Sequence, residues 1–234
     1  MCSSVPQAPL TDGLQPADST EHRPLREKRE GEPSSSGQNV QTTIGYYNRN
    51  ADAFAASTAN VEFSAMQERF AARLAPGASV LDFGCGSGRD AKSFLERGFR
   101  VTATDGSPEM CGIASRLTGL EVRNELFGDL ADVAAYDGIW ACSSILHLPK
   151  AELADVFPKM LAALKPGGVI YTSFKYGTFE GWRNGRYFTD FTEASFRDFA
   201  NAVGGFEVAE QWVSSDVRPG RGDEKWLNLL LAKS

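Results

Sequence analysis

The segment VLDFGCGSGRD, residues 80–90, constrains this chain more than any other stretch of it. Apolar residues from 79 lead into it as a buried strand. From Arg89 to Arg97 the pattern turns helical and closes at Gly98. Gly84, Gly86 and Gly88 therefore stand at a strand-to-helix turn, where glycine lets backbone approach a ligand at the carboxyl edge of a sheet. The spacing is GxGxG. A dinucleotide fingerprint needs glycine or alanine at position 89, which is Arg89, and no phosphate loop of the GxxxxGK type occurs. Asp105 closes the next strand, FRVTATD, 21 residues after Gly84, where a carboxylate can accept hydrogen bonds from both hydroxyls of a ribose. Asp129, in FGDL after the third strand, can accept from an adenine amino group, and Asp82, just before the loop, can face an ammonium. Together these describe a site for a nucleoside linked to an amino acid, with no phosphate required.

The rest of the chain predicts an alternating α/β order. Folded structure is expected from near Tyr46, with helices over 48–58 and 62–74. The second carries Phe63, Met66, Phe70 and Leu74 at helical spacing and is ended by Pro76 and Gly77. Ser107 can cap a third helix with Pro108 in its first turn. Residues 136–144 read as a strand and 150–164 as an amphipathic helix, in which Pro158 predicts a kink or break. A turn leads into a strand over 165–175, and a last helix spans 192–203. FEVAEQWV and EKWLNLLLA then form two closing strands, joined without a helix by the loop at 215–223 with Pro219, Gly220 and Gly222. This order predicts a parallel sheet with helices on both faces and an antiparallel hairpin at one edge.

Residues 1–40 are rich in Ser, Pro, Gln, Glu and Gly and hold no aromatic residue; a disordered tail is expected there, with one domain over 41–234. The net charge is −6, of which the first forty residues carry −2 from six acids and four bases. An acidic body speaks against a dedicated nucleic-acid binder. The four cysteines form no CxxC pair, so no zinc or thioredoxin-type motif is expected and no metal is assigned. The start has no basic n-region or apolar run, and no stretch approaches a membrane span, so a soluble, cytoplasmic protein is expected.

Five segments in order, VLDFGCGSGRDA, TATDGSPEM, FGDL, YDGIWACSSILHLP and LKPGGVIYTSF, make the chain resemble the class I methyltransferases over about residues 44–234. Within them it is similar to the small-molecule enzymes of the tellurite-resistance and ubiquinone-biosynthesis types. The resemblance implies a Rossmann-like seven-stranded sheet of order 3-2-1-4-5-7-6 with strand 7 antiparallel. It also implies S-adenosylmethionine as cofactor and S-adenosylhomocysteine as product. It places Gly84, Gly86 and Gly88 around the methionine part, Asp105 on the ribose, and Ser107 or Met110 near the adenine. Gly106, Leu130 and Ser143 complete the expected cofactor contacts. Tyr46, with Tyr47, is expected either to close over the cofactor or to pack in the core.

Methyl transfer from a sulfonium needs alignment, exclusion of water and, for a protonated nucleophile, a base. His147, in CSSILHLP, either accepts that proton or shapes the pocket. Cys85 and Cys142 read as fillers. Arg69 either pairs with the cofactor carboxylate or is solvated. The loops at 175–191 and 215–223 bring Arg186, Tyr187, Arg218 and Arg221 to the sheet's carboxyl edge. These either bind a small anionic acceptor or, for the arginines, pair with Asp216, Asp223 or Glu224. Small-molecule methyl transfer is the leading expectation. A tRNA-modifying enzyme would need a basic surface or an added RNA module. A lapsed cofactor-binding protein is disfavoured by the intact loop and Asp105.

Overall fold

The computed structural model describes residues 35–59, 61–218 and 220–234. The expected disordered segment lies, for residues 1–34, outside them; residues 35–40 are helical. Helix α1 (Ser35–Thr58) thus begins well before Tyr46 and leaves helical geometry only at Asn50, φ −118° and ψ 15°. The Asn50 side-chain amide donates to the Tyr46 carbonyl at 2.7 Å and so satisfies an acceptor at the kink. Helix α2 (Ser64–Ala71) follows, shorter than expected at both ends.

From there strands and helices alternate: β1 (Ser79–Phe83), α3 (Arg89–Glu96), β2 (Arg100–Asp105), α4 (Pro108–Thr118), β3 (Arg123–Asn124), β4 (Tyr136–Ala141), α5 (Lys150–Ala163), β5 (Leu164–Lys175). A hairpin of β6 (Glu180–Arg183) and β7 (Arg186–Thr189) leads to α6 (Glu193–Val203), then β8 (Phe206–Ser215) and β9 (Lys225–Lys233). Seven strands form one sheet in the order β3-β2-β1-β4-β5-β9-β8. The first five are parallel; β9 runs antiparallel between β5 and the edge strand β8. Counting sheet strands alone, this is the expected 3-2-1-4-5-7-6.

Strand alternation divides the core. Leu81, Phe83, Ile139, Ile170, Leu229 and Leu231 pack on one face with α5 and α6 side chains, while Val80, Trp140, Tyr171 and Leu230 pack on the other with Phe70 and Phe94. Ser107 caps α4 as expected, accepting from the Met110 N–H at 3.2 Å with Pro108 in the first turn. Pro158 neither breaks α5 nor divides it: the helix runs unbroken from Lys150 to Ala163. The proline lies on the exposed side, while Val156, Phe157, Met160 and Leu161 are buried around it and hold the helix in place. The β6–β7 hairpin lies within 175–191, where a loop is expected from the sequence. Its Asn184-Gly185 turn has φ +52° and +76°, the dipeptide that a tight two-residue hairpin favours. No helix among the described residues is long and apolar enough to cross a membrane.

Candidate functional site

At the end of β1 the chain turns back on β2: the Gly84 and Cys85 N–H groups both donate to the Thr104 carbonyl at 2.9 Å. Gly84 has φ +81°, and a Cβ there would lie 2.5 Å from that of Ser144. Gly86 has φ +55°, and a Cβ there would make only ordinary contacts, with the Phe54 ring at 3.7 Å and the Met110 side chain at 3.8 Å. Asp105 ties this loop to α4. One carboxylate oxygen accepts from the Gly86 N–H at 2.9 Å and the other from the Ser107 N–H at 2.8 Å. Burial raises the Asp105 carboxyl above its ordinary range, and those two bonds oppose the shift. Ser107 Oγ donates to Asn48 on α1 at 2.6 Å.

Asp82 is buried just below the loop, and its Oδ2 has no hydrogen-bond partner among the described residues. Burial raises its carboxyl well above the ordinary range; Asp90 adds to this and Arg89 opposes it. A buried carboxylate oxygen without a donor is costly unless a ligand supplies one.

These groups line a cavity of about 600 Å³ at the carboxyl edge of the parallel strands, a size suited to a small ligand. Asp105, Gly106, Ser107, Met110, Phe127 and Asp129 surround one end of it. At the other end stand His147, Arg186, Phe188, Lys175 and Trp226, and α1 contributes Thr43, Ile44, Tyr47 and Phe54.

His147 is buried, and its bonds fix its tautomer. Nδ1 lies 2.7 Å from the Tyr187 carbonyl, which can only accept, so Nδ1 carries the proton. Nε2 then accepts from the Tyr47 hydroxyl at 2.8 Å. Burial pushes the imidazole down to about 4, with nearby Arg186 adding to the effect and the Tyr187 bond opposing it. Arg186 Nη1 donates to the Tyr47 hydroxyl at 3.1 Å, and its guanidinium lies 4.5 Å over the Tyr46 ring. Its Nε is buried without a partner, and no described carboxylate lies within ion-pair distance of it.

Comparison with known proteins adds the family. Residues 80–168 match the family described as "Methyltransferase domain". A ubiquinone biosynthesis O-methyltransferase of Xanthomonas axonopodis pv. citri is 34% identical over 114 residues, 45% of this chain and 47% of that protein. The chain thus matches about half the length of that relative. The fold is shared with the 1,6-didemethyltoxoflavin-N1-methyltransferase of Burkholderia thailandensis, solved with S-adenosylhomocysteine. The TM-score is 0.70 at 23% identity, over 88% of this chain and 93% of that one. It is shared too with magnesium protoporphyrin IX methyltransferase of Synechocystis, with S-adenosylhomocysteine bound. There the TM-score is 0.65 at 18% identity, over 84% and 100%. Residues 80–168 thus carry a match to a methyltransferase domain, within a fold shared with known methyltransferases.

S-adenosylmethionine is the cofactor that the sequence resemblance implies, and the residues present fit it. The cavity-lining backbone at Gly86, the Asp105 carboxylate and the orphaned Asp82 oxygen suit a ribose and an ammonium. Of the expected cofactor residues in this methyltransferase domain, Asp82, Gly84, Gly86, Asp105, Gly106, Ser107, Met110, Asp129 and Ser143 line the cavity. Tyr46, Gly88 and Leu130 do not. Gly88 packs on Ala114 of α4, Leu130 is in the core, and Tyr46 lies beneath Arg186 while Tyr47 takes the wall.

At the opposite end, Arg186 and His147 line the cavity; Tyr187 contributes its carbonyl to His147 and turns its ring towards Trp182. Arg218 and Arg221 reach the wall already paired, with Asp216 and Glu224 respectively. Lys175 contacts the same two acids. Arg69 lies 4.3 Å over Trp212, off the cavity wall. Cys85 and Cys142 both line the cavity, and burial pushes the Cys142 thiol up to about 12 and Cys85 well above its ordinary value, which disfavours either thiolate. No group of three metal-ligating side chains occurs among the described residues. Sequence reasoning passed over Arg89 and Phe54, which also line the cavity, as does Phe188 of the 175–191 segment. Arg89 was visible as the residue that spoils the dinucleotide fingerprint, but that reading used it only to exclude.

Proposed function

We propose that this chain transfers the methyl group of S-adenosylmethionine to a small acceptor that binds as an anion. The observation that carries the reading is the carboxylate of Asp105, which clasps the glycine loop and the start of α4 together at the cavity wall. When bound, the cofactor supplies a methyl group on a sulfonium, already a good electrophile.

The residues of the chain then have three tasks. Asp105 and Asp82 hold the cofactor, through hydroxyl and ammonium donors respectively. The α1 side chains Ile44, Tyr47 and Phe54 cover the cavity and exclude water. The acceptor end aligns the nucleophile opposite the methyl. His147 is poorly suited to act as the base. Its Nε2 lone pair already accepts from Tyr47, and an imidazole held near 4 binds a proton weakly at neutral pH. The nucleophile therefore enters deprotonated, and Arg186, with donors to spare, faces its charge. His147 and Tyr47 orient that arginine.

The test is calorimetry followed by product analysis. The chain should bind S-adenosylhomocysteine, and Asp105→Asn should weaken binding by about ten- to hundred-fold, the value of charge-assisted hydrogen bonds. Mass spectrometry with methyl-labelled cofactor and a panel of acceptors should then find labelled product for acidic hydroxyls, thiols or oxyanions. If the wild type fails to bind the cofactor product, the reading is wrong. If Arg186→Gln leaves acceptor KM unchanged, the anionic acceptor is wrong.

A further inference from the structure

Arg89 is the first residue of α3 and stands on the cavity wall with Asp82 and Gly86. Its Nε and Nη2 donate to the two oxygens of Asp90, both at 2.9 Å, which uses one edge of the guanidinium. Asp90 is itself fixed. It is buried, and it accepts from Gln67 Nε2 at 2.7 Å and from Trp140 Nε1 at 2.9 Å. Ser93 holds Gln67 in turn, at 2.7 Å. The Arg89 guanidinium also lies 5.1 Å over the Phe63 ring. A planar group pinned along one edge and one face presents its other edge, and Nη1 has no hydrogen-bond partner among the described residues.

The same wall carries the orphaned Oδ2 of Asp82. One site therefore offers an unused carboxylate oxygen and an unused guanidinium edge. A simple amine would satisfy only the first, and a simple carboxylic acid only the second. An α-amino acid in its zwitterionic form satisfies both.

We infer that Arg89 binds the carboxylate at the amino-acid end of the cofactor, with Asp90 as the positioning residue that aims it. This rests on the proposed use of S-adenosylmethionine. Two ligands separate the inference from that reading: S-adenosylhomocysteine, and 5′-methylthioadenosine, which keeps the nucleoside and thioether but lacks the amino acid. Each is titrated calorimetrically into the full chain. Arg89→Gln should lower affinity for S-adenosylhomocysteine by about ten- to hundred-fold and leave that for 5′-methylthioadenosine unchanged. If circular dichroism shows that the glutamine variant has not folded, Arg89→Lys, which keeps a cation for Asp90, carries the same comparison with a smaller selective loss. Equal loss for both ligands, or loss for neither, overturns the inference. A wild-type chain that binds neither ligand overturns the cofactor reading itself, whereas one that binds both equally tightly overturns only the role of Arg89.

Discussion

His147 makes the acid side of this protein's stability curve predictable. Its folded value of about 4 lies roughly 2.5 units below the ordinary 6.5, because burial disfavours the imidazolium. The unfolded chain then binds the extra proton between those values and the folded chain does not. Stability therefore rises with pH across that window. The contribution is fully present above about pH 7 and is lost as pH falls towards 4, to a limit of about 3 kcal/mol at 1.36 kcal/mol per unit. At pH 5 the loss amounts to about 2 kcal/mol, a large part of the 5–15 kcal/mol that holds most domains folded. Asp82 and Asp105 work in the opposite sense. Their carboxyls are raised by burial, so their contribution is present at low pH and lost as pH rises.

The difference between wild type and His147→Gln isolates the histidine from those carboxylates. Urea unfolding at pH 8 and at pH 5 should show the wild-type advantage shrinking by about 2 kcal/mol at the lower pH. The chain has only His22 and His147, so imidazole nitrogen resonances can be assigned by comparing the two proteins. One ring should stay neutral, with its proton on Nδ1, down to about pH 4. A constant stability difference across this range, or a buried ring that titrates near 6.5, would refute the reasoning and reopen His147 as a base.

Gly84→Ala combines a left-handed φ with a Cβ 2.5 Å from that of Ser144 and should cost about 2–5 kcal/mol by thermal or urea unfolding. Gly86→Ala has no such clash, so it should cost about 1–2 kcal/mol and instead weaken S-adenosylhomocysteine binding; equal destabilisation at both positions would contradict the geometry. Pro158→Ala, on the exposed side of an unbroken helix, restores a backbone donor and should stabilise the protein by about 2 kcal/mol; an unchanged urea midpoint would count against that.

The proposed cofactor end was legible in the sequence because it is built from neighbours. Gly84, Gly86, Asp105 and Ser107 lie within 24 residues, and β1 and β2 pair directly. The proposed acceptor end was only partly legible because its contacts are long-range. Tyr47 meets His147 across 100 residues of sequence and Arg186 across 139. No periodicity encodes such meetings. That is why Tyr46 and Tyr47 could not be told apart: helical phase at α1 decides which ring faces the cavity, and α1 starts eleven residues earlier than the aromatic pair suggested. Arg218 and Arg221 were recognised as cations near the site, but only the structure assigns them to Asp216 and Glu224. The β6–β7 hairpin was missed although Asn184-Gly185 announced it, because its four-residue strands fell inside a segment already read as a loop.

The two ends of the cavity differ in charge, and this bears on how the proposed reaction is driven. Asp82 and Asp105 place buried acids where a cationic cofactor would bind, and Arg186 places a cation where the acceptor would bind. Methyl transfer from a sulfonium to an anion removes charge from both partners. Both ends therefore favour the charged reactants over the transition state, in which that charge is already fading. Interactions stronger in the ground state do not accelerate the chemical step. Rate must come instead from alignment and from the exclusion of water beneath α1, where a desolvated anion is the better nucleophile. Loss of Arg186 should then appear in KM far more than in kcat, and the neutral products should leave more readily than the reactants. An Arg186→Gln enzyme with unchanged KM and a collapsed kcat would show that the guanidinium serves the transition state, against this division of labour.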